Sequence, residues 1–300
     1  INIGEKVLSL ATGLAFLTQD DNIALGLDDR VVIYGAGRGA LSLLWETERE
    51  PGARFVDLAL ADIDGDGREE VVAASEGKEA LYFYRLTGET AGEARLELLA
   101  IRVLPGPAEK VTVVKTTEGE VPYIVAAYRN GATSGLLTLS FTERGFVGGP
   151  FVEMLPAPVT SLTGGNLGRQ PGGDFAWGGG DGVVRVMKIN SQLATIITTD
   201  NLGSAIPALT AGKLPGDPQD TLIAGTPEGY LFGYQSPIER SAPDWAVWTG
   251  RPANSLDVSD EGMLGLGATD GFVQVWLLSP GKTIHIVRPG ETLTSIAARY

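Results

Sequence analysis

Residues 175–187 have the sequence FAWGGGDGVVRVM, in which an apolar segment runs into small residues, turns at Asp181-Gly182 and continues with alternating apolar residues. This order is typical of a β-hairpin, because an acidic residue followed by Gly suits a tight turn between two strands. Similar hairpins recur along the chain, with equivalent turn positions at Arg30, Gly77, Gly131, Gly182, Gly229 and Gly271. The sequence therefore predicts an internal structural repeat.

The turns of this repeat lie 42 to 54 residues apart, which is the length of a four-stranded antiparallel sheet with its connections. Repeats of this kind are typical of a propeller, because each small sheet has two apolar faces and must pack against its neighbours. We predict an all-β fold, a six-bladed β-propeller of four-stranded blades, over residues 1–279. The alternative is a β-sandwich built from unrelated hairpins.

The sixth repeat has no obvious fourth strand, because Ser279-Pro280-Gly281 follows its hairpin soon after Leu278. Alignment with the other repeats places the first residues of the chain at the missing position. We expect Ile1–Val7 to supply the outer strand of the last blade and to pair with Phe272–Leu278. Such pairing would cover an open sheet edge.

Composition narrows the range of functions. The chain has 37 acidic and 23 basic residues, a net charge of −14 that repels nucleic acids and anionic lipids. It has no Cys and one His, His285, so catalysis based on cysteine or histidine is excluded for the first 284 residues. No stretch of about 18 apolar residues occurs, so no membrane-spanning helix is expected.

Residues 62–70, DIDGDGREE, form an acidic segment between two apolar stretches that are typical of strands. Asp62, Asp64 and Asp66 stand at alternate positions and can converge on one hard cation, and Gly67 permits the sharp turn that this requires. The segment therefore predicts one calcium site. A solvated acidic turn without an ion is the alternative.

The longer stretch 58–75, LALADIDGDGREEVVAAS, resembles an integrin-alpha repeat, also called an FG-GAP or VCBS repeat. Repeats of that family form propeller blades, and their acidic loop holds a structural calcium ion. The resemblance implies side-chain ligands at four positions and a backbone carbonyl ligand at a fifth, namely Asp62, Asp64, Asp66 and Glu70, with Arg68 through its carbonyl. The corresponding turns of the other repeats lack three alternating carboxylates, so we expect one Ca²⁺ ion.

Residues 31–40, VVIYGAGRGA, also match the glycine pattern of a dinucleotide-binding turn. That interpretation needs a helix over residues 40–50 and further alternating helices, which the chain does not indicate after residue 100. In the propeller interpretation, the same glycines form the hairpin between the third and fourth strands of the first blade.

The C-terminal segment differs from the repeats. After a linker at 280–283, residues 284–300 predict a short strand, a Pro-Gly turn and a helix, a βα segment that is similar to the first half of a LysM module. LysM modules bind glycans that contain N-acetylglucosamine, which implies glycan contacts at Gly290, Glu291, Thr292 and Leu293. The alternative is a linker with a stray helix.

Together these features predict a non-enzymatic binding protein of the bacterial cell surface or extracellular space. The propeller would present a face to a protein or glycan partner, one calcium ion would stabilise a blade, and the LysM segment would attach the chain to peptidoglycan. Most of the five Trp residues are expected in the core, although some could stack on glycans. The alternatives are a glycan hydrolase or lyase, a quinoprotein-like dehydrogenase, or a purely structural module.

Overall fold

The computed structural model describes residues 4–13, 22–37, 40–88, 93–116, 121–170, 172–259, 262–269 and 272–277. In these ranges the chain forms 23 β-strands and no helix. The strands make six antiparallel sheets, and each sheet uses consecutive strands of the chain. The chain divides into two compact units.

The first unit comprises residues 1–159 and 189–193 and holds the first three sheets, each with four strands. Their strands are β1 (Ser9–Gly13), β2 (Asn22–Gly26), β3 (Val31–Gly37) and β4 (Ala40–Glu46); β5 (Phe55–Ala61), β6 (Glu70–Ser75), β7 (Ala80–Thr87) and β8 (Arg95–Val103); and β9 (Ala108–Val114), β10 (Tyr123–Asn130), β11 (Thr133–Thr142) and β12 (Gly145–Val152).

The second unit comprises residues 160–188 and 194–300 and holds most of the remaining three sheets. The fourth and fifth sheets have four strands, and the sixth has three in the residues described. Their strands are β13 (Val159–Gly164), β14 (Asp174–Gly179), β15 (Val184–Ile189) and β16 (Leu193–Thr198); β17 (Ala208–Lys213), β18 (Asp220–Gly225), β19 (Tyr230–Gln235) and β20 (Trp245–Trp248); and β21 (Ala253–Val258), β22 (Met263–Ala268) and β23 (Val273–Leu277).

The core of each unit lies between neighbouring sheets. The second strand of a sheet is the most deeply buried, and every residue of β6 and β14 is buried. These strands carry short apolar runs because both of their faces are covered. In the first unit, Phe55 of the second sheet packs edge-on against Tyr82 with a ring-centroid distance of 5.4 Å, and both rings join a cluster that includes Ile33 of the first sheet.

These six sheets, five of them with four strands in the described residues, confirm the predicted six-bladed, all-β propeller of four-stranded blades, and the β-sandwich alternative is wrong. Each predicted hairpin joins the second and third strands of a sheet, as in the pair β14–β15 around Gly182. The dinucleotide-binding interpretation is also wrong, because the segment that it requires to be helical forms β4. That strand pairs with β3 in an antiparallel hairpin, in which Gly37 lies opposite Ala40.

The predicted fourth strand of the last sheet stays a prediction. Residues 4–7 of the proposed segment 1–7 form a bend followed by irregular chain, and β1 begins only at Ser9. Residues 1–3 and 278–300 lie outside the described residues, and these include the linker and the predicted LysM segment.

Candidate functional sites

The acidic loop between β5 and β6 is wrapped around the carboxylate of Asp62. Its Oδ1 accepts a hydrogen bond from the Gly65 N–H at 2.7 Å, and its Oδ2 accepts one from the Gly67 N–H at 2.9 Å. Gly65 and Gly67 have φ angles of 81° and 83°, in the left-handed region that residues with a Cβ rarely adopt. The glycines thus allow the backbone to turn its N–H groups toward Asp62.

This loop gathers three of the predicted ligands. Carboxylate oxygens of Asp62, Asp64 and Glu70 lie within 4.8 Å of one another, and this is the one group of three or more potential metal-ligating side chains in the part of the chain described. The Asp66 carboxylate is not in the group. It accepts a hydrogen bond from the Arg68 N–H at 2.8 Å, and the ligand role of the Arg68 carbonyl stays a prediction.

A basic residue outside the predicted ligand set also contacts this cluster. Arg85 of β7 donates from Nε to Glu70 Oε1 at 3.2 Å and forms a second ion pair with Asp64. Glu70 is fully buried, whereas the Arg85 side chain is 30% exposed. The sequence signal for this contact is the single basic residue in an otherwise apolar strand, ALYFYRLT.

Burial in this cluster raises the pKa of Glu70 to about 7. The negative charge of Asp64 raises it further, while the Ile63 N–H and the Arg85 guanidinium oppose the shift. One guanidinium therefore leaves three clustered carboxylates incompletely neutralised. A divalent cation would favour the ionised form of Glu70, because an opposite charge at close range lowers the pKa of a carboxyl group.

The fourth sheet also has a buried carboxylate at the equivalent position, but there a lysine neutralises it. Asp174 begins β14 as Glu70 begins β6, and it is fully buried. Lys188 of β15 donates to its Oδ1 at 3.0 Å, and the Gly168 N–H donates to its Oδ2 at 2.8 Å. Lys188 also donates to the carbonyl of Gly172 at 2.8 Å. Here one ammonium group faces one carboxylate, so the fourth sheet has no excess of negative charge at this position.

A second candidate site is an aromatic cluster in the second unit, which we define as Tyr230, Trp248, Arg251 and Phe272. Tyr230 of β19 lies directly opposite Trp248 of β20, and the two side chains are 43% and 64% exposed. Phe272 is 56% exposed, and the guanidinium of Arg251 lies 3.7 Å from the centre of its ring. The Trp248 indole donates to the carbonyl of Glu228 at 3.2 Å, which holds the ring in one orientation.

The other tryptophans belong to the core, as most of them were expected to. Trp45 and Trp177 are buried, and Trp245 and Trp276 are partly buried against the core of the fifth and sixth sheets. Trp248 is therefore the tryptophan available to a partner. The predicted glycan contacts Gly290, Glu291, Thr292 and Leu293 lie outside the described residues.

Comparison with solved structures supports the fold. The chain is 12% identical to BBS1N in its crystal structure in complex with ARL6DN, over 94% of this chain and 80% of that chain, with a TM-score of 0.67. It is 12% identical to Sqt1 from Chaetomium thermophilum, over 91% and 69% of the two chains, with a TM-score of 0.63. It is 13% identical to Chaetomium thermophilum Sqt1 bound to the N-terminus of the ribosomal protein L10, over 91% of this chain and 72% of that chain, with a TM-score of 0.63. At these identities the likeness shows the fold alone.

No protein-family model matches the chain, and no curated protein does either. The resemblance to FG-GAP repeats therefore rests on residues 58–75, and the similarity to LysM modules rests on residues 284–300. Within the described residues, no helix has the length and hydrophobicity that crossing a membrane requires.

Proposed function

We propose that this propeller is a non-enzymatic protein that binds a protein partner, and that the aromatic cluster is one of its binding surfaces. The observation that carries the proposal is the exposure of three large aromatic side chains, of which Phe272 is in contact with the Arg251 guanidinium. Trp, Tyr and Arg dominate the residues that contribute most to protein–protein binding, because they bury a large area and retain a polar group. Exposed apolar clusters of this kind commonly mark interaction sites.

The similar solved structures support a binding role. BBS1N was crystallised in complex with ARL6DN, and Sqt1 was crystallised with the N-terminus of the ribosomal protein L10. Both are complexes with a protein. The present chain would use the same fold to display its own surface, whose residues differ.

Affinity capture from extracts of the source organism tests this function. The tagged wild-type chain is compared with a Trp248→Ala, Phe272→Ala double variant and with a control, Leu43→Ala, which removes a 49% exposed apolar side chain from the first unit. We expect one or a few proteins to be captured by the wild type and the control, and to fall at least about tenfold with the double variant. Equal capture by all three chains, with circular dichroism showing the same fold, would contradict the proposal.

We also propose that the loop between β5 and β6 binds one structural Ca²⁺ ion through the clustered carboxylates of Asp62, Asp64 and Glu70. Asp66 and the Arg68 carbonyl are the further ligands that the sequence resemblance implies. An oxygen-only donor set suits a hard cation, and Ca²⁺ accepts irregular geometry more readily than Mg²⁺ does. The ion would relieve the repulsion among the clustered carboxylates and join β5 to β6 more rigidly. This is a role in stability, and no reaction step is assigned to it.

Thermal unfolding in CaCl₂ or MgCl₂ tests the calcium proposal. At a Ca²⁺ concentration 100-fold above the dissociation constant, the expected stabilisation is about 2.7 kcal/mol, which raises the melting temperature by about 4 °C in a chain of this size. Asp62→Asn should remove this rise, whereas Glu143→Gln, which removes one exposed carboxylate elsewhere, should keep it. An equal rise in both variants would contradict the site.

Attachment to peptidoglycan through residues 284–300, and a cell-wall or extracellular location, are proposals supported by the sequence resemblance alone. Binding of the chain to insoluble peptidoglycan, compared with a chain that ends at residue 279, tests them. Retention should require residues 280–300, and equal retention of the two chains would contradict the role of this segment.

A further inference from the structure

The first unit contains an apolar cavity that the preceding sites do not use. Its volume is about 350 Å³, and it lies along β10, β11 and β12. Its apolar lining includes Tyr128, Leu137, Leu139, Phe151 and Pro105. The volume falls within the lower range of pockets that bind small groups or single side chains.

The wall formed by β12 is open because two glycines occupy it. A Cβ placed on Gly148 would meet no atom within 4 Å, so a side chain at this position would extend into free space. Gly149 instead allows β12 to lie close to Thr138 of β11, because a Cβ added at this position would clash with the Thr138 hydroxyl. That hydroxyl donates to the carbonyl of Pro150 at 2.8 Å.

The apolar surface continues beyond the cavity. Phe151 is 62% exposed, and Met154, two residues after the end of β12, is 68% exposed. β12 is also the last strand of its sheet in the described residues. A compact small molecule would leave this rim uncovered, whereas an extended peptide that follows an edge strand would cover it.

The polar groups around the cavity leave one charge available. Thr138 is engaged with Pro150, and the side chain of Asn130 donates to the carbonyl of Glu153 at 2.6 Å. The Glu153 carboxylate is exposed and forms no ion pair within the described ranges. Arg129, which precedes Asn130 on β10, pairs instead with Glu76 and Glu109. Glu153 lines the cavity together with Tyr128, so its charge is available to a ligand bound there.

We propose that this cavity binds a linear peptide of a partner protein. An aliphatic or aromatic side chain of the peptide would insert against Leu137 and Leu139, and a neighbouring Lys or Arg would pair with Glu153. The net charge of −14 favours the approach of a basic segment. This inference rests on the proposed binding function, but it assigns a different surface and the chemistry of its ligand.

A phage-displayed library of random 12-residue peptides, panned against the full chain, tests the inference. We expect enriched peptides to combine a Leu, Ile or Phe with a Lys or Arg one to three positions away. Affinities of the corresponding synthetic peptides are then measured by fluorescence anisotropy. Enrichment of peptides without this pair of residues, or no enrichment, would overturn the inference.

Two variants locate the binding site. Gly148→Leu should fill the cavity without a clash and weaken binding at least about tenfold, because the inserted apolar side chain loses its site. Glu153→Gln should weaken binding of a Lys-containing peptide about two- to fivefold, as for an exposed ion pair, and should not affect the same peptide with Gln in place of Lys. Val147→Ser, an exposed substitution on β12 outside the cavity, is the control and should bind like the wild type.

The Trp248→Ala, Phe272→Ala variant separates this inference from the proposed function. If it binds the peptides normally and Gly148→Leu does not, the cavity is confirmed independently of the aromatic cluster. If Gly148→Leu binds normally and the double variant does not, the peptide site lies on the aromatic cluster and the cavity inference is wrong. Normal binding by both variants also overturns the inference.

Discussion

Glu70→Gln is the substitution that tests most sharply how the acidic loop is stabilised. Glutamine keeps the size of Glu70 and the acceptor for the Ile63 N–H, which lies 3.1 Å from Glu70 Oε2, but it cannot ionise. In the wild type, burial raises the pKa of Glu70 from 4.5 to about 7. The folded protein therefore holds a proton that the unfolded chain has released at neutral pH.

The sign and size of the effect follow from this difference. A carboxyl group with a raised pKa in the folded state stabilises the protein fully below its unfolded pKa of 4.5, and this stability is lost as the pH rises toward 7. Each pKa unit corresponds to about 1.4 kcal/mol, so the wild type should lose about 3 kcal/mol relative to Glu70→Gln between pH 4.5 and pH 7.5. Groups that titrate identically in both chains cancel in this comparison.

Urea unfolding of both chains at several pH values, in EGTA and in CaCl₂, measures the effect. In EGTA the free energy difference between the chains should change by about 3 kcal/mol over this pH range. In Ca²⁺ the change should largely disappear, because the ion holds Glu70 in its ionised form, and the variant should gain less stability from Ca²⁺ than the wild type. A difference that stays constant with pH in EGTA would refute this account of Glu70.

Three further substitutions test the packing and the loop by urea unfolding. Lys188→Met should lower the free energy of unfolding by about 3 kcal/mol, because it leaves Asp174 buried without its ammonium partner. Ca²⁺ should not restore this loss, and restoration would mean that the fourth sheet also binds the ion. Gly67→Ala should cost about 1 kcal/mol, because its φ of 83° disfavours a Cβ, and an unchanged midpoint would contradict that conformation. Trp177→Ala should cost about 3–5 kcal/mol through the cavity that it leaves in the core, and a loss below about 1 kcal/mol would contradict its burial.

The sheets could be predicted from the sequence because their signals are local. A turn such as Asp181-Gly182 and the alternation of the following strand depend on a few adjacent residues, and their repetition indicates the number of sheets. The glycines of residues 31–40 do not by themselves distinguish a dinucleotide-binding turn from a β-hairpin, because both structures can use glycine at these positions. The segment that follows them decides between the two, and it forms β4.

The contacts of the site were harder to predict because they depend on register. Arg85 and Glu70 are 15 residues apart, and they meet because Val71 pairs with Tyr84 on neighbouring strands. The opposition of Tyr230 and Trp248 depends in the same way on the pairing of β19 with β20. Residues 148–150, Gly-Gly-Pro, suggest a turn by composition, but they lie within β12 and open the cavity wall.

The proposal that this propeller binds a protein partner through exposed aromatic side chains can be tested with the purified partner. Isothermal titration of the captured partner into the wild type, into the Trp248→Ala, Phe272→Ala double variant and into Leu43→Ala measures how much these side chains contribute to the binding free energy. A loss of at least about 2 kcal/mol on the double substitution, or about 30-fold in affinity, is predicted, with no change for Leu43→Ala. An affinity that the double substitution leaves unchanged would contradict the claim.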